Sequence, residues 1–419
     1  MSDQIIFTSI CSRSSVPVLD QPQLVYVLTE LLPGEGLAKV RMPLNFTLVL
    51  DRSGSMAGPK LKTMKEAVVS IIDQLEPDDV VSIVTFETRT KVVCEAQPAK
   101  DKENLKKSVK KIRDGGGTNM AIGLKEGLHQ VAKWHQPDRI SRLVILTDGE
   151  VTDDENLSRR LADEAAGMGI PIIGLGFGKD WNEDFLFDLA DRSISQPDSR
   201  AGFADYIPAP QDARKIFQEV YQSMQVVAQD VAITIRMVQG LEARRVWQVT
   251  PMIKDIGFEA IQGRAIVIPV GELEKGGAAY LAEVMVPPRP EGAVRIAQSE
   301  VVFSIPKQEP IRQACDLIIE FSRDSAKNQQ LDGRVMNVVE KVQAFKLQTQ
   351  ALDEAELGNV QSATRKLRQA VTILVSQGDD ELADQMQKEV ERLEEEGQLS
   401  SEGKKTIKLT SRKTVKLSE

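Results

Sequence analysis

The sequence predicts a doubly wound α/β domain inserted into an antiparallel β-sandwich and followed by a C-terminal helical hairpin or bundle. Three observations carry this. Short apolar runs at 44–50, 79–86, 140–147 and 170–177 alternate with stretches whose apolar residues recur every three or four positions, the pattern of parallel strands separated by helices. From 228 to 305 the pattern changes to alternating runs such as Val231–Val238, Ala265–Pro269, Ala278–Val286 and Ser299–Ile305, divided by Gly and Pro turns, as in a sandwich. From about 309 to 397 the spacing is helical. The expected boundaries are 1–40 for N-terminal sandwich strands, 41–227 for the α/β domain, 228–307 for the sandwich, 308–398 for the helical domain and 399–419 for a basic tail.

At the N-terminus, Ile5–Ile10 and Leu24–Leu28 read as strands separated by Ser, Pro and Asp turn signals. An α/β domain does not need them to close its sheet, so they are expected to pair with the sandwich. That pairing makes the α/β domain an insertion.

Leu44–Leu50 reads as a strand buried on both faces, and it breaks into Asp51-Arg-Ser53-Gly-Ser55. A turn leaving the strand can aim the Asp51 carboxylate and the Ser53 and Ser55 hydroxyls at one point. All three are hard oxygen ligands, suited to Mg²⁺ or Mn²⁺ in an octahedral shell that keeps several waters. Pro59–Leu75 follows as a helix with Leu61, Met64, Val68, Ile71 and Leu75 on one face. The polar cluster thus falls at a strand's carboxyl end, where open α/β sheets place their ligands. Further on, Gly115-Gly116-Gly117 can bring the Thr118 hydroxyl close to a neighbouring loop. The strand Leu143–Thr147 runs directly into Asp148-Gly149, repeating the arrangement of Leu50-Asp51.

Asp51-x-Ser53-x-Ser55, Thr118 and Asp148-Gly149 resemble the metal-ion-dependent adhesion site of von Willebrand factor A domains, over about residues 40–227. The resemblance implies that Ser53, Ser55 and Thr118 coordinate a divalent ion, Mg²⁺ with Mn²⁺ or Ca²⁺ as alternatives. It implies that Asp51 and Asp148 hold it directly or through water, and that an Asp or Glu of a partner protein fills the open position.

In the remainder of that domain, Thr90–Ala96 reads as an antiparallel neighbour to the strand at 79–86. Helices are expected near 101–112, 119–135, 154–168 and 210–227, with a last strand near 200–206. Gly174-x-Gly176-x-Gly178 lacks the G-x-G-x-x-G spacing of dinucleotide sites. In the helical domain, Val360, Ala363, Leu367, Ala370 and Leu374 form one stripe and Leu382, Met386, Val390 and Leu393 another. Gly378 and Asp379-Asp380 between them supply a C-cap and an N-cap.

The tail at 399–419 carries six Lys or Arg against two Glu and is expected to be disordered. Its repeat, Lys405-Thr406-Ile-Lys-Leu409 and Lys413-Thr414-Val-Lys-Leu417, places Leu three residues after each Thr. That spacing resembles the phosphothreonine peptides read by forkhead-associated domains, which makes Thr406 and Thr414 candidate phosphorylation sites and such a domain a candidate partner.

A net charge of −9 and the absence of a basic stripe with interleaved aromatics argue against a general nucleic-acid binder. Cys11, Cys94 and Cys315 are too few and too scattered for a disulfide framework or a zinc ribbon. The N-terminus lacks the pattern of a secretory signal, and no apolar run approaches 18 residues. The expected setting is therefore the cytoplasm, with no membrane span. The expected function is a Mg²⁺-dependent protein-interaction module or scaffold rather than an enzyme. Two alternatives are an adaptor subunit for an ATPase-driven metal-insertion or remodelling system and a metal-dependent hydrolase. No G-x-S-x-G, P-loop or H-E-x-x-H supports catalysis, and His129 and His135 lie in an expected helix.

Overall fold

The computed structural model describes residues 4–38, 40–149, 155–194, 202–305 and 308–410. The chain forms two compact units, one from residues 1–37 and 230–419 and the other from 38–229. The first unit begins with β1 (Ile5–Cys11), β2 (Ser15–Pro17), β3 (Gln23–Pro33) and the short α1 (Glu35–Ala38).

The second unit follows as β4 (Leu44–Asp51), α2 (Pro59–Gln74), β5 (Val80–Phe86), β6 (Thr90–Pro98), α3 (Lys102–Lys110) and α4 (Met120–Ala132). It continues with β7 (Ile140–Thr147), α5 (Glu155–Met168), β8 (Ile172–Phe177), α6 (Glu183–Arg192), β9 (Phe203–Ile207) and α7 (Ala213–Ser223). Its six-stranded sheet has the order β6-β5-β4-β7-β8-β9. All pairs are parallel except β5 with β6. β4, β5, β7 and β8 are buried along their whole length because helices cover both faces, which is why the sequence shows continuous rather than alternating apolar runs.

Two elements of this unit depart from the sequence reading. Helix α6 was not anticipated. Its start is fixed by Asn182, whose side chain accepts from the Phe185 N–H, and it buries Phe185, Leu186, Leu189 and Ala190. The helix expected over 210–227 is α7, Ala213–Ser223, and β10 (Val226–Met237) begins three residues later. Gly174 and Gly176 lie inside β8. A Cβ at Gly176 would sit within 2.0 Å of the Trp181 ring, so this glycine makes room for a buried Trp.

The first unit resumes with β10, β11 (Glu242–Thr250), β12 (Lys254–Gly257), β13 (Ile261–Gln262), β14 (Ala265–Glu274), β15 (Ala278–Val286), β16 (Gly292–Ser304) and β17 (Ile311–Ser322). One sheet has the order β1-β3-β15-β11-β12 and the other β13-β14-β10-β16-β17-β2. β3 pairs antiparallel with both β1 and β15, so the N-terminal strands join the sandwich as expected and the α/β domain is an insertion between them and the rest.

β17 corrects the expectation of helix from about 309. Leu317, Ile319 and Phe321 are buried at a spacing of two, and eleven residue pairs register it against β16. The run Cys-Asp-Leu-Ile-Ile-Glu-Phe fits either period over so few residues, and pairing with β16 decides it.

The helical region comprises α8 (Ser325–Asn328), α9 (Gly333–Glu356), α10 (Val360–Ser376), α11 (Asp380–Glu396) and α12 (Ser401–Thr410). α9 serves two cores. Near its start Val335, Val338 and Val342 pack with Leu28, Trp247 and Leu281 of the sheet, and farther along Ala351 joins Leu367, Met386 and Val390. α12 corrects the expectation of a disordered tail. Ile407 and the preceding Leu399 are buried in that second core, so the segment has an apolar face after all. Residues 411–419, with Thr414, lie outside the described residues. Among the described residues no helix is long and apolar enough to cross a membrane.

The glycines of α4 offer a test. A Cβ at Gly127 would meet Val49 Cγ2 at 2.4 Å, and one at Gly123 would meet the Phe86 ring at 2.8 Å, whereas nothing lies within 4 Å at Gly167 of α5. An Ala in an open helix adds stability, by about 0.5 kcal/mol near a terminus, while forcing a methyl into a packed contact costs about 1–3 kcal/mol. Thermal unfolding should therefore show Gly127→Ala destabilised and Gly167→Ala unchanged or slightly stabilised.

Candidate metal centre

Strand register sets the geometry. Leu50 of β4 lies opposite Leu146 of β7, so Asp51 emerges level with Thr147, and Asp148 is one residue beyond. Asp51, Ser53 and Asp148 are 0%, 2% and 1% exposed, respectively, while Ser55 is exposed, so the cluster is buried on one side and reaches solvent on the other.

The side chains form a continuous chain of oxygen contacts. The Ser53 N–H donates to Asp51 Oδ1 at 2.7 Å and the Thr147 hydroxyl donates to Asp51 Oδ2 at 2.7 Å. The Ser53 and Ser55 hydroxyls are 3.0 Å apart, and Ser55 donates to Asp148 Oδ1 at 2.7 Å. The other carboxylate oxygen of Asp148, Oδ2, accepts from Lys60 Nζ at 2.5 Å.

Thr118 is half-buried at the end of the glycine loop. That loop is fastened to the Asp51 turn and to the end of β5. Gly54 N–H donates to the Gly116 carbonyl at 3.0 Å, Gly115 N–H to the Arg52 carbonyl at 2.7 Å, and Asn119 N–H to the Glu87 carbonyl at 2.8 Å. Gly117 N–H donates to Thr88 Oγ1 at 3.0 Å. Arg52 reinforces the seam by pairing with Glu87 at 3.1 Å. A Cβ at Gly115 would meet Arg52 Nη1 at 2.6 Å and Glu87 Cγ at 2.9 Å, so a side chain here would have to displace the Arg52–Glu87 pair.

The donor set fits a hard divalent ion. Burial pushes the Asp51 carboxyl above the usual carboxylate range, the bonds from Ser53 and Thr147 pull it back, and the neighbouring Asp148 pushes it up again. Among the described residues Asp51 makes no ion pair. A buried carboxylate held only by neutral donors is costly, and a cation between Asp51 and Asp148 relieves that cost. Among the described residues no three His, Cys, Asp or Glu side chains gather where they could hold a metal. The candidate set is thus two carboxylates with hydroxyls, an oxygen set of the Mg²⁺ and Mn²⁺ kind.

Two residues of the cluster escape a reading of the sequence. Thr147 completes the shell of Asp51 but looks like an ordinary strand residue. Lys60 left a signal: a cation in the first turn of a helix opposes the helix dipole, so its placement calls for a carboxylate, here Asp148. The three cysteines do not take part. Burial pushes the Cys11 thiol up to about 12 and raises those of Cys94 and Cys315 as well. His135 bonds Ser141 at the start of β7, the opposite end of the strand from Asp148. Thr406 is half-buried on α12.

Residues 45–207 match the von Willebrand factor type A domain family and residues 333–417 match the Sll0103-like, C-terminal alpha-helical domain family. Among proteins similar in sequence, "Uncharacterized protein sll0103" of Synechocystis sp. is 37% identical over 185 residues, covering 44% of this chain and 42% of the relative. Inter-alpha-trypsin inhibitor heavy chain H3 of Mus musculus is 34% identical over 168 residues, covering 37% of this chain and 19% of the relative. The chain thus spans less than half the length of these curated relatives. Among solved structures, a von Willebrand factor type A protein from Catenulispora acidiphila matches with a TM-score of 0.73 and 20% identity over 99% of this chain and 98% of that one. The ArnB paralog VWA2 from Sulfolobus acidocaldarius matches with a TM-score of 0.55 and 16% identity, over 98% of each chain. At these identities the structural likeness speaks to the fold.

The raised thiols give a chemical test. Because the folded state favours the protonated form, these groups stabilise the fold below the ordinary thiol value of 9.0, and that contribution fades as pH climbs above it, for Cys11 toward about 12. At pH 8 a thiol-reactive dye should label the native protein slowly and all three cysteines rapidly after unfolding in guanidinium.

Proposed function

We propose that the von Willebrand factor type A domain at residues 45–207 is a divalent-cation-dependent protein-binding module. Ser53, Ser55 and Thr118 would coordinate the ion, Mg²⁺ by preference, with Asp51 and Asp148 holding it directly or through water. The ion supplies an electrophilic contact that a carboxylate of a partner protein completes. The observation that carries the reading is the unbroken chain of contacts from Asp51 through Ser53 and Ser55 to Asp148, buried at one end and open at the other.

Binding is favoured over hydrolysis by where His135 lies among the described residues. A general base must lie within hydrogen-bond reach of the water it activates. His135 lies a strand's length away, about 26 Å for eight residues at 3.3 Å each. The helical domain in the same chain supports a scaffold, and an adaptor role beside a separate ATPase is a special case of it. Recognition of Thr406 by a forkhead-associated domain has less support. An extended peptide would have to leave α12, where Ile407 is buried.

The test is cation binding by the full chain. Mn²⁺ titration followed by electron paramagnetic resonance should show one site, competed by Mg²⁺ and emptied by chelator. Ser53→Ala and Asp148→Ala should each weaken it by about 10–100-fold or more, while far-ultraviolet circular dichroism stays unchanged. Equal binding by wild type and both variants would overturn the assignment.

A further inference from the structure

We propose that Lys60 is a built-in counter-ion that weakens the hold on the metal and makes the loaded site demand an anionic ligand. The inference deepens the reading above and rests on it.

Lys60 stands in the first turn of α2, after Gly58, whose φ of +78 turns the chain, and Pro59 at the start of the helix. Its ammonium contacts Asp148 Oδ2 at 2.5 Å while Ser55 holds Oδ1 at 2.7 Å. The side chain is 26% exposed, so the pair is partly shielded from water. It runs past Gly178 after β8, where an added Cβ would stand 3.5 Å from Lys60 Nζ. Nearby Arg52 and Glu87 pair with each other and cancel.

Charge counting gives the consequence. Asp51 and Asp148 alone would neutralise a divalent ion, leaving a loaded site indifferent to further anions. Counted over Asp51, Asp148 and Lys60 among the described residues, the cluster alone carries a single negative charge, and with a divalent ion a single positive charge. An incoming carboxylate then restores neutrality. Lys60 thus trades cation affinity for anion selectivity, and a metal and an acidic partner bind with positive coupling. A neutral residue at position 60 would reverse the trade.

Lys60→Met keeps the length and removes the charge. In the full-length protein it should tighten Mn²⁺ binding about tenfold, the size expected for one charge at partly shielded separation. Acetate binding to the Mn²⁺-loaded protein, read by water-proton relaxation, should weaken about tenfold. Lys60→Arg should stay near wild type in both, and Lys60→Gln should follow Lys60→Met, which guards against a single variant that folds poorly. Wild type without any cation site would remove the proposed function and this inference together. If wild type binds Mn²⁺ but Lys60→Met and Lys60→Gln match it in both titrations, or bind the ion more weakly, Lys60 is a packing or positioning residue and only this inference falls.

Discussion

The parallel pairing of β4 with β7 is the constraint on which the rest depends. Two strands in that register bring Asp51 level with Thr147 at the sheet's carboxyl edge, with Asp148 one residue beyond. Nothing in the sheet itself requires two nearly inaccessible carboxylates side by side, and like charges in a poorly solvated place repel. The surrounding contacts answer that repulsion in part: two hydroxyls and an amide around Asp51, a hydroxyl and an ammonium around Asp148.

The α/β core was legible because its strands are buried on both faces and its helices are amphipathic, so hydrophobic period and secondary structure agree over long stretches. The cluster at Asp51, Ser53, Ser55 and Asp148 was legible because polar residues immediately follow apolar runs. Failures came where local pattern and tertiary partner disagree. β17 buries its inward positions fully only over its last half and depends on β16 for its identity. α12 has few apolar residues, and Ile407 acquires its meaning from a neighbouring core that only folding assembles. Lys60 and Thr147 belong to no spacing rule, since each is defined by what it touches.

The division of labour between the two units follows from connectivity. The sandwich opens at the end of β3 and closes again at β10, so the inserted domain is tethered at both ends by strands of one framework. α9 extends that framework by burying its first turns on one sheet and its later turns among the helices, which ties the helical region to the sandwich within a single unit.

The missing side chains on α4 have a consequence for tolerance to change. With only hydrogen where Gly123 and Gly127 face Phe86 and Val49, the helix rests directly on the sheet, and its first residue, Met120, is indexed to the strands beneath. Thr118 hangs from that fixed end. Its position is thus set twice, from below by the helix and from the side by the bonds that join Gly115, Gly116 and Gly117 to Arg52, Gly54 and Thr88, so a residue added between α3 and Thr118 has to be absorbed before Gly115.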